Sequence, residues 1–79
     1  MRVTVKMPRA ADTVDEVVVM EWVVAEGAAV GEGEAILRVE TDKALVEVPA
    51  PVAGVLAAHL VAVDDEIVTG TPIAVIETP

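Results

Sequence analysis

Seventy-nine residues, 54% hydrophobic but only 1% aromatic, make one small domain with enough apolar material to offset the entropy of ordering, which excludes a disordered chain. Fourteen Asp plus Glu against five Lys plus Arg give a formal charge of −9, which repels a phosphate backbone and argues against a nucleic-acid partner. With no cysteine and one histidine, His59, neither a disulfide, a thiolate or histidine-rich metal cage nor a cysteine nucleophile is expected.

Two further expectations follow. Acidic residues interrupt every long apolar run, and Met1 to Lys6 lacks the apolar stretch of a signal peptide; a cytoplasmic domain with no membrane partner is the expectation. A chain this short buries only roughly 60% of its unfolded surface, so deep clefts are hard to build. It is expected to carry a reactive group rather than enclose an active site, and no catalytic residue is assigned.

In chain order, Val3-Thr4-Val5-Lys6-Met7 alternates apolar with polar, the period of a half-buried strand. Glu16 to Ala25 is long enough for a helix, but Val17, Val18, Val19, Val23 and Val24 are stiff at the first side-chain torsion and favour a strand. Leu37-Arg38-Val39-Glu40-Thr41 alternates again, and so does Val46-Glu47-Val48. Pro49-Ala50-Pro51 forms a stiff bend into the second half. Asp64-Asp65-Glu66 lacks the spaced oxygens and glycine of a calcium loop and is expected to be a solvated acidic turn. Gly27, Gly33, Gly54 and Gly70 punctuate the chain, glycine being the residue that accepts a positive φ. Strand segments this closely spaced predict a small all-β sandwich or barrel.

The sequence also overlays on itself. A shift of 37 positions puts Gly33-Glu34-Ala35-Ile36-Leu37-Arg38-Val39-Glu40-Thr41 over Gly70-Thr71-Pro72-Ile73-Ala74-Val75-Ile76-Glu77-Thr78. The same shift pairs Val18 with Val55, Val30 with Ile67, and Trp22 with His59. Two similar halves, each too small to cover its own apolar face, are expected to pack as two sheets around one core. Trp22 is expected to pack between strand and loop, and His59 to be a surface or half-buried strand residue. The copies diverge after the shared Glu-Thr: the second ends at Pro79, while the first continues through Asp42-Lys43-Ala44 into another alternating strand. Asp42-Lys43 is therefore predicted at the tip of a tight hairpin, where Asp tolerates turn geometry. Of the two lysines, Lys43 is the one a hairpin would hold out in solvent.

The run from Val39 to Gly54, with Glu40-Thr41-Asp42-Lys43-Ala44 at its heart, closely resembles the modification site of lipoyl domains from the acyltransferase components of 2-oxo acid dehydrogenase complexes. Met7-Pro8, the stretch from Val19 to Gly27, and Gly70 also resemble that family's pattern, so the likeness covers nearly the whole chain. It implies a flattened β-barrel of two four-stranded antiparallel sheets with pseudo-twofold symmetry, a barrel-sandwich hybrid. It implies that residues 1–79 form a single lipoyl carrier domain, the N-terminal domain of a longer acyltransferase chain if Thr78-Pro79 begins a linker. Lys43 would then be the lysine acylated by lipoate, and Asp42 and Ala44 would present it to a lipoate ligase or lipoyl transferase. Glu40 resembles the position favouring lipoate over biotin. Gly27, Gly33, Gly54 and Gly70 would be structural turn glycines. The loop Pro8, Arg9, Ala10, Ala11, Asp12, Thr13, Val14, Asp15 resembles the surface loop that helps a decarboxylase choose its carrier, although many relatives have Leu-Gly where this chain has Ala10-Ala11.

The resemblance implies that chemistry resides in the cofactor. Lipoate would accept an acyl group from a thiamine-dependent 2-oxo acid decarboxylase, deliver it to coenzyme A at the acyltransferase catalytic domain, and be reoxidised by dihydrolipoyl dehydrogenase. Two other readings stay open. One is a biotin carrier domain of a carboxylase, although such domains usually present Met-Lys-Met where Asp42 and Ala44 flank the lysine here. The other is an unmodified barrel acting as an interaction module.

Overall fold

In a computed structural model that describes residues 1–8, 16–41 and 44–79, the alternating segments become eight short strands. They are β1 (Arg2–Lys6), β2 (Glu16–Trp22), β3 (Ala29–Val30), β4 (Ala35–Glu40), β5 (Leu45–Pro49), β6 (Gly54–His59), β7 (Glu66–Val68) and β8 (Pro72–Glu77). They build two four-stranded antiparallel sheets, ordered β1-β8-β6-β3 and β5-β4-β2-β7. The expected all-β fold is the observed one. The valine-rich stretch after Glu16 is a strand, since β-branched side chains pack well on a pleated surface.

The duplication is written into the hydrogen-bond ladders. Replacing each strand by the one four places away in the chain turns the first sheet order into the second. The β2–β4 register pairs Val18 with Glu40, Val19 with Val39, Glu21 with Arg38 and Trp22 with Leu37; the β6–β8 register pairs Val55 with Glu77, Leu56 with Ile76, Ala58 with Val75 and His59 with Ala74. These are the same pairs displaced by 37, with the irregularity at the same place. Only β1 departs: it overlays β5 at a shift of 43 (Arg2 onto Leu45), so between equivalent register positions the chain from β1 into β2 is six residues longer than that from β5 into β6.

The core follows the same rule. Val19 and Leu56, Ile36 and Ile73, Leu37 and Ala74, and Val39 and Ile76 are equivalent pairs, and all eight are fully buried. Ile36 and Leu37 are both buried although adjacent, because the β4–β5 register shifts between Ala35 and Leu37 and breaks the strict alternation. The described residues bury no polar or charged side chain.

Two of the turn positions match across the halves. Gly33 and Gly70 have φ of 85° and 91°, and Gly27 at 89° has Asp64 at 77° as its equivalent; a short carboxylate side chain is among the few that tolerate this region. Gly54 corrects the expectation made for it. It opens β6 rather than forming a turn, and its need is for space: a Cβ there would run into the backbone oxygen of Glu77 and come within 2.9 Å of Ile76 Cγ2. From the β4–β5 connection β5 runs to Pro49, and Ala50 to Ala53 lead to Gly54 against Glu77. The hairpin and the chain termini therefore occupy opposite ends of a body 36 × 21 × 17 Å.

Candidate functional site

The hairpin joining β4 to β5 is held by its flanking residues. Val39, buried, and Glu40, exposed, set the alternation that leads out of the core. Glu40 pairs with Leu45, and one step further out the Thr41 N–H donates to the Ala44 carbonyl at 2.9 Å. The Thr41 hydroxyl donates to the same carbonyl at 3.1 Å and accepts from the Ala44 N–H at 3.2 Å. Asp42 and Lys43 lie outside the described residues, but the connection they make starts and ends at these pinned positions.

Beside the hairpin is an open cleft of about 540 Å³ lined by Glu16, Val17, Val18, Glu40, Thr41, Ala44, Leu45 and Glu66. Strand pairing brings these residues together: Leu45, Glu40, Val18 and Glu66 form one row across β5, β4, β2 and β7, and Glu16 lies one step outward on β2. Three carboxylates therefore share a small surface with Leu45, which is 59% exposed. No cation is among the described lining residues. Arg38, the next outward-facing residue on β4, is already engaged. It donates to Glu21 at 2.9 Å on β2 and to Glu47 at 3.1 Å on β5. The Glu47 hydrogen bond first, and the nearby Glu21 charge second, hold its guanidinium above its ordinary pKa.

Other residues singled out in the sequence are placed elsewhere. Pro8, exposed at the end of β1, borders a separate shallow groove with Val48, Pro49 and Pro51; residues 9–15 of the same loop lie outside the described residues. Gly27, Gly33, Gly54 and Gly70 shape the scaffold and do not line the cleft. Trp22 and His59 do more than fill space. Their rings stack face to face, centroids 3.8 Å apart and planes 7° from parallel. Trp22 Nε1 donates to Val61 O at 3.0 Å, and His59 Nε2 lies 2.9 Å from Val24 O. A carbonyl only accepts, so that histidine nitrogen carries a proton. These two bonds are also equivalent under the 37-residue shift, which puts the ring pair on the pseudo-twofold axis. Among the described residues no cluster of three or more His, Asp or Glu is placed to hold a metal ion.

No separate role was expected for Thr41, Leu45 or Glu16, and Glu66 was expected only as part of a solvated acidic turn. For Thr41 there was a signal in the overlay of Glu40-Thr41 on Glu77-Thr78. For Glu16 and Glu66 there was none, because their proximity to Glu40 depends on which strands lie side by side.

Comparison with known proteins adds four findings. Residues 3–76 match the biotin/lipoyl family model, described as "Biotin-requiring enzyme". The chain is 49% identical over 63 residues to the dihydrolipoyllysine-residue acetyltransferase component of the pyruvate dehydrogenase complex of Haemophilus influenzae, covering 80% of this chain and 11% of that protein. It is 40% identical over 76 residues to the succinyltransferase component of the 2-oxoglutarate dehydrogenase complex of Cupriavidus necator, covering 96% of this chain and 18% of that protein. The fold superposes on the solution structure of the lipoyl domain of the 2-oxoglutarate dehydrogenase complex from Azotobacter vinelandii with a TM-score of 0.74 and 28% identity, covering 98% of this chain and 99% of that one. The chain thus spans less than a fifth of these two curated acyltransferase components and nearly all of a solved lipoyl domain.

Proposed function

This chain belongs to the biotin/lipoyl attachment family, as a lipoyl domain of the kind found in 2-oxo acid dehydrogenase acyltransferase components, and from that membership we propose that it carries lipoate on Lys43. The observation that supports the site is the pinned hairpin. A carrier lysine needs a fixed base and open surroundings, and Thr41 and Ala44 close the connection while Glu40, Ala44 and Leu45 around it are exposed. Attachment joins the Lys43 amine to the lipoate carboxyl as an amide, with ATP cleaved to AMP and pyrophosphate, and makes the domain one charge more negative.

When bound, lipoate supplies acyl transfer coupled to two-electron redox chemistry, between a thiamine-dependent 2-oxo acid decarboxylase, coenzyme A at an acyltransferase domain, and dihydrolipoyl dehydrogenase. The chain itself contributes position and recognition, and no catalysis. Asp42, Ala44 and Glu40 identify the lysine to the lipoate ligase or lipoyl transferase. The loop from Pro8 to Asp15 helps the decarboxylase select its carrier. Tethering within a longer acyltransferase chain keeps the arm at high effective concentration near each active site, and the acidic surface steers it towards basic entrances.

The reading is tested by incubating the protein with lipoate, ATP and a lipoate ligase, then measuring intact mass and mapping the modified peptide. One lipoyl group on Lys43 is expected, and none on Lys43→Arg. A parallel incubation with biotin ligase should leave the protein unlabelled on streptavidin. Biotin incorporation in place of lipoate would make the chain a biotin carrier, and modification of neither kind would leave an interaction module.

A further inference from the structure

Thr41 and Thr78 hold the same place in the two halves, each following the last paired glutamate of its strand. Each donates its N–H across the strand pair, Thr41 to Ala44 O at 2.9 Å and Thr78 to Met1 O at 2.8 Å. Each hydroxyl donates to that same carbonyl at 3.1 Å. The two differ in what holds the facing amine or amide. At the termini the Met1 amine donates to the Thr78 carbonyl at 3.0 Å, so the facing nitrogen is held there by main chain. At the hairpin the Ala44 N–H donates to the Thr41 hydroxyl at 3.2 Å. A hydroxyl has one proton and two lone pairs, so it can serve both Ala44 groups at once.

This difference matters because Asp-Lys is not a dipeptide that favours a tight hairpin turn unaided, as Asn-Gly does. Order in the connection must come from the residues on either side of it. We infer that Thr41 is a positioning residue for lipoyl attachment: its side chain grips both peptide groups of Ala44 and so fixes the base of Lys43 in the geometry the attaching enzyme accepts. This rests on the carrier function proposed above and adds a residue and a role to it. Without the hydroxyl, the Glu40–Leu45 pairing still joins the strands, but the enzyme must order the connection when it binds. That cost is the same in the bound substrate and in the transition state, so it appears in KM and not in kcat.

The test is steady-state lipoylation of wild type, Thr41→Val, Thr41→Ser and Thr78→Val by one ligase, with hydrogen exchange of the Ala44 amide measured on the unmodified proteins. Thr41→Val should raise KM about tenfold, the size expected for one or two lost net hydrogen bonds, with kcat unchanged and faster Ala44 exchange. Thr41→Ser should restore both, and Thr78→Val should change neither. Should Thr41→Val fold poorly, Thr41→Ala removes the hydroxyl without adding a methyl beside the turn, and the same KM rise is expected. A wild-type KM in the folded hydroxyl-free variants, or an equal rise in Thr78→Val, would overturn the positioning role while leaving the carrier function intact. Wild-type protein that accepts no lipoate would overturn the carrier function and this role with it.

Discussion

The two ends of the barrel share a backbone plan and differ in side chains. At the hairpin end the row Leu45, Glu40, Val18, Glu66 crosses one sheet; its equivalent at the terminal end is Arg2, Glu77, Val55, Ala29. Arg2 lies 3.7 Å from Glu77, so the terminal end offsets its carboxylate with a cation. The hairpin end has none among its described lining residues, and adds Glu16 and Glu66 to Glu40. The six extra residues on the way from β1 into β2 also occur in one half only. A duplicated fold thus offers two equivalent places to present a group, and charge, exposed apolar surface and loop length distinguish them.

The largest expected effect comes from moving the site. In a circular permutant, the chain is opened between Asp42 and Lys43, and an Asp-Lys dipeptide joins Thr78 to Met1. Because Glu77-Thr78 already stands where Glu40-Thr41 does and Met1 where Ala44 does, adding Met1→Ala gives the new connection the whole Glu-Thr-Asp-Lys-Ala motif without the acidic cleft. The fold is expected to persist, with lipoylation of the transplanted lysine at least tenfold slower than at the native hairpin. Modification at the native rate would show that the motif alone suffices and that the surrounding differences are idle.

Packing at equivalent positions sharpens the comparison next. Val17 and Gly54 correspond, yet one carries a buried side chain and the other has no room for a Cβ. Gly54→Ala should cost about 2–4 kcal/mol, because backbone must shift, and Val17→Ala about 1–3 kcal/mol from lost burial. Denaturant unfolding measures both; a neutral Gly54→Ala would mean that β6 and β8 can separate freely.

Smaller effects belong to the axis and the outer face. His59→Ala removes the ring stacked on Trp22 and the bond to Val24 O, and should cost about 1–2 kcal/mol with a shift in Trp22 emission. An unchanged emission spectrum would contradict the stacked pair. Arg38→Gln should lower the denaturation midpoint slightly at low salt and hardly at all at high salt, because Glu21 and Glu47 are more than half exposed and Arg38 is only half-buried. Its raised pKa means this contribution is complete below the ordinary guanidinium range and fades only as pH rises through the raised value, so it should be constant across the neutral range.

Much of this was legible in the residues. Alternation in Val3 to Met7 and Leu37 to Thr41 marked strands, and β-branched valines decided β2 against a helix. The overlay of Gly33 to Thr41 on Gly70 to Thr78 anticipated the matching ladders. The lysine-bearing motif was readable because it is local, a few consecutive residues in one connection. Gly54 was placed correctly as a special position but for the wrong reason, since closeness to Glu77 depends on two strands meeting from distant parts of the chain. The Trp22–His59 stack was half visible: the overlay made them equivalent, but only a symmetry axis running between them makes equivalents touch.

What the sequence determined by itself is whatever repeats along the chain: strand period, the duplicated halves, the net acidity, and the Glu-Thr-Asp-Lys-Ala run. What only the tertiary structure decided is which distant residues share a surface: Glu16 and Glu66 beside Glu40, Arg38 between Glu21 and Glu47, and a threonine hydroxyl shared between two peptide groups at one end and supported by main chain at the other. The physical reason is range. Side-chain periodicity acts over two to four residues and is printed in order, whereas hydrogen bonds and electrostatic fields act across a few ångströms of space, whatever the separation along the chain.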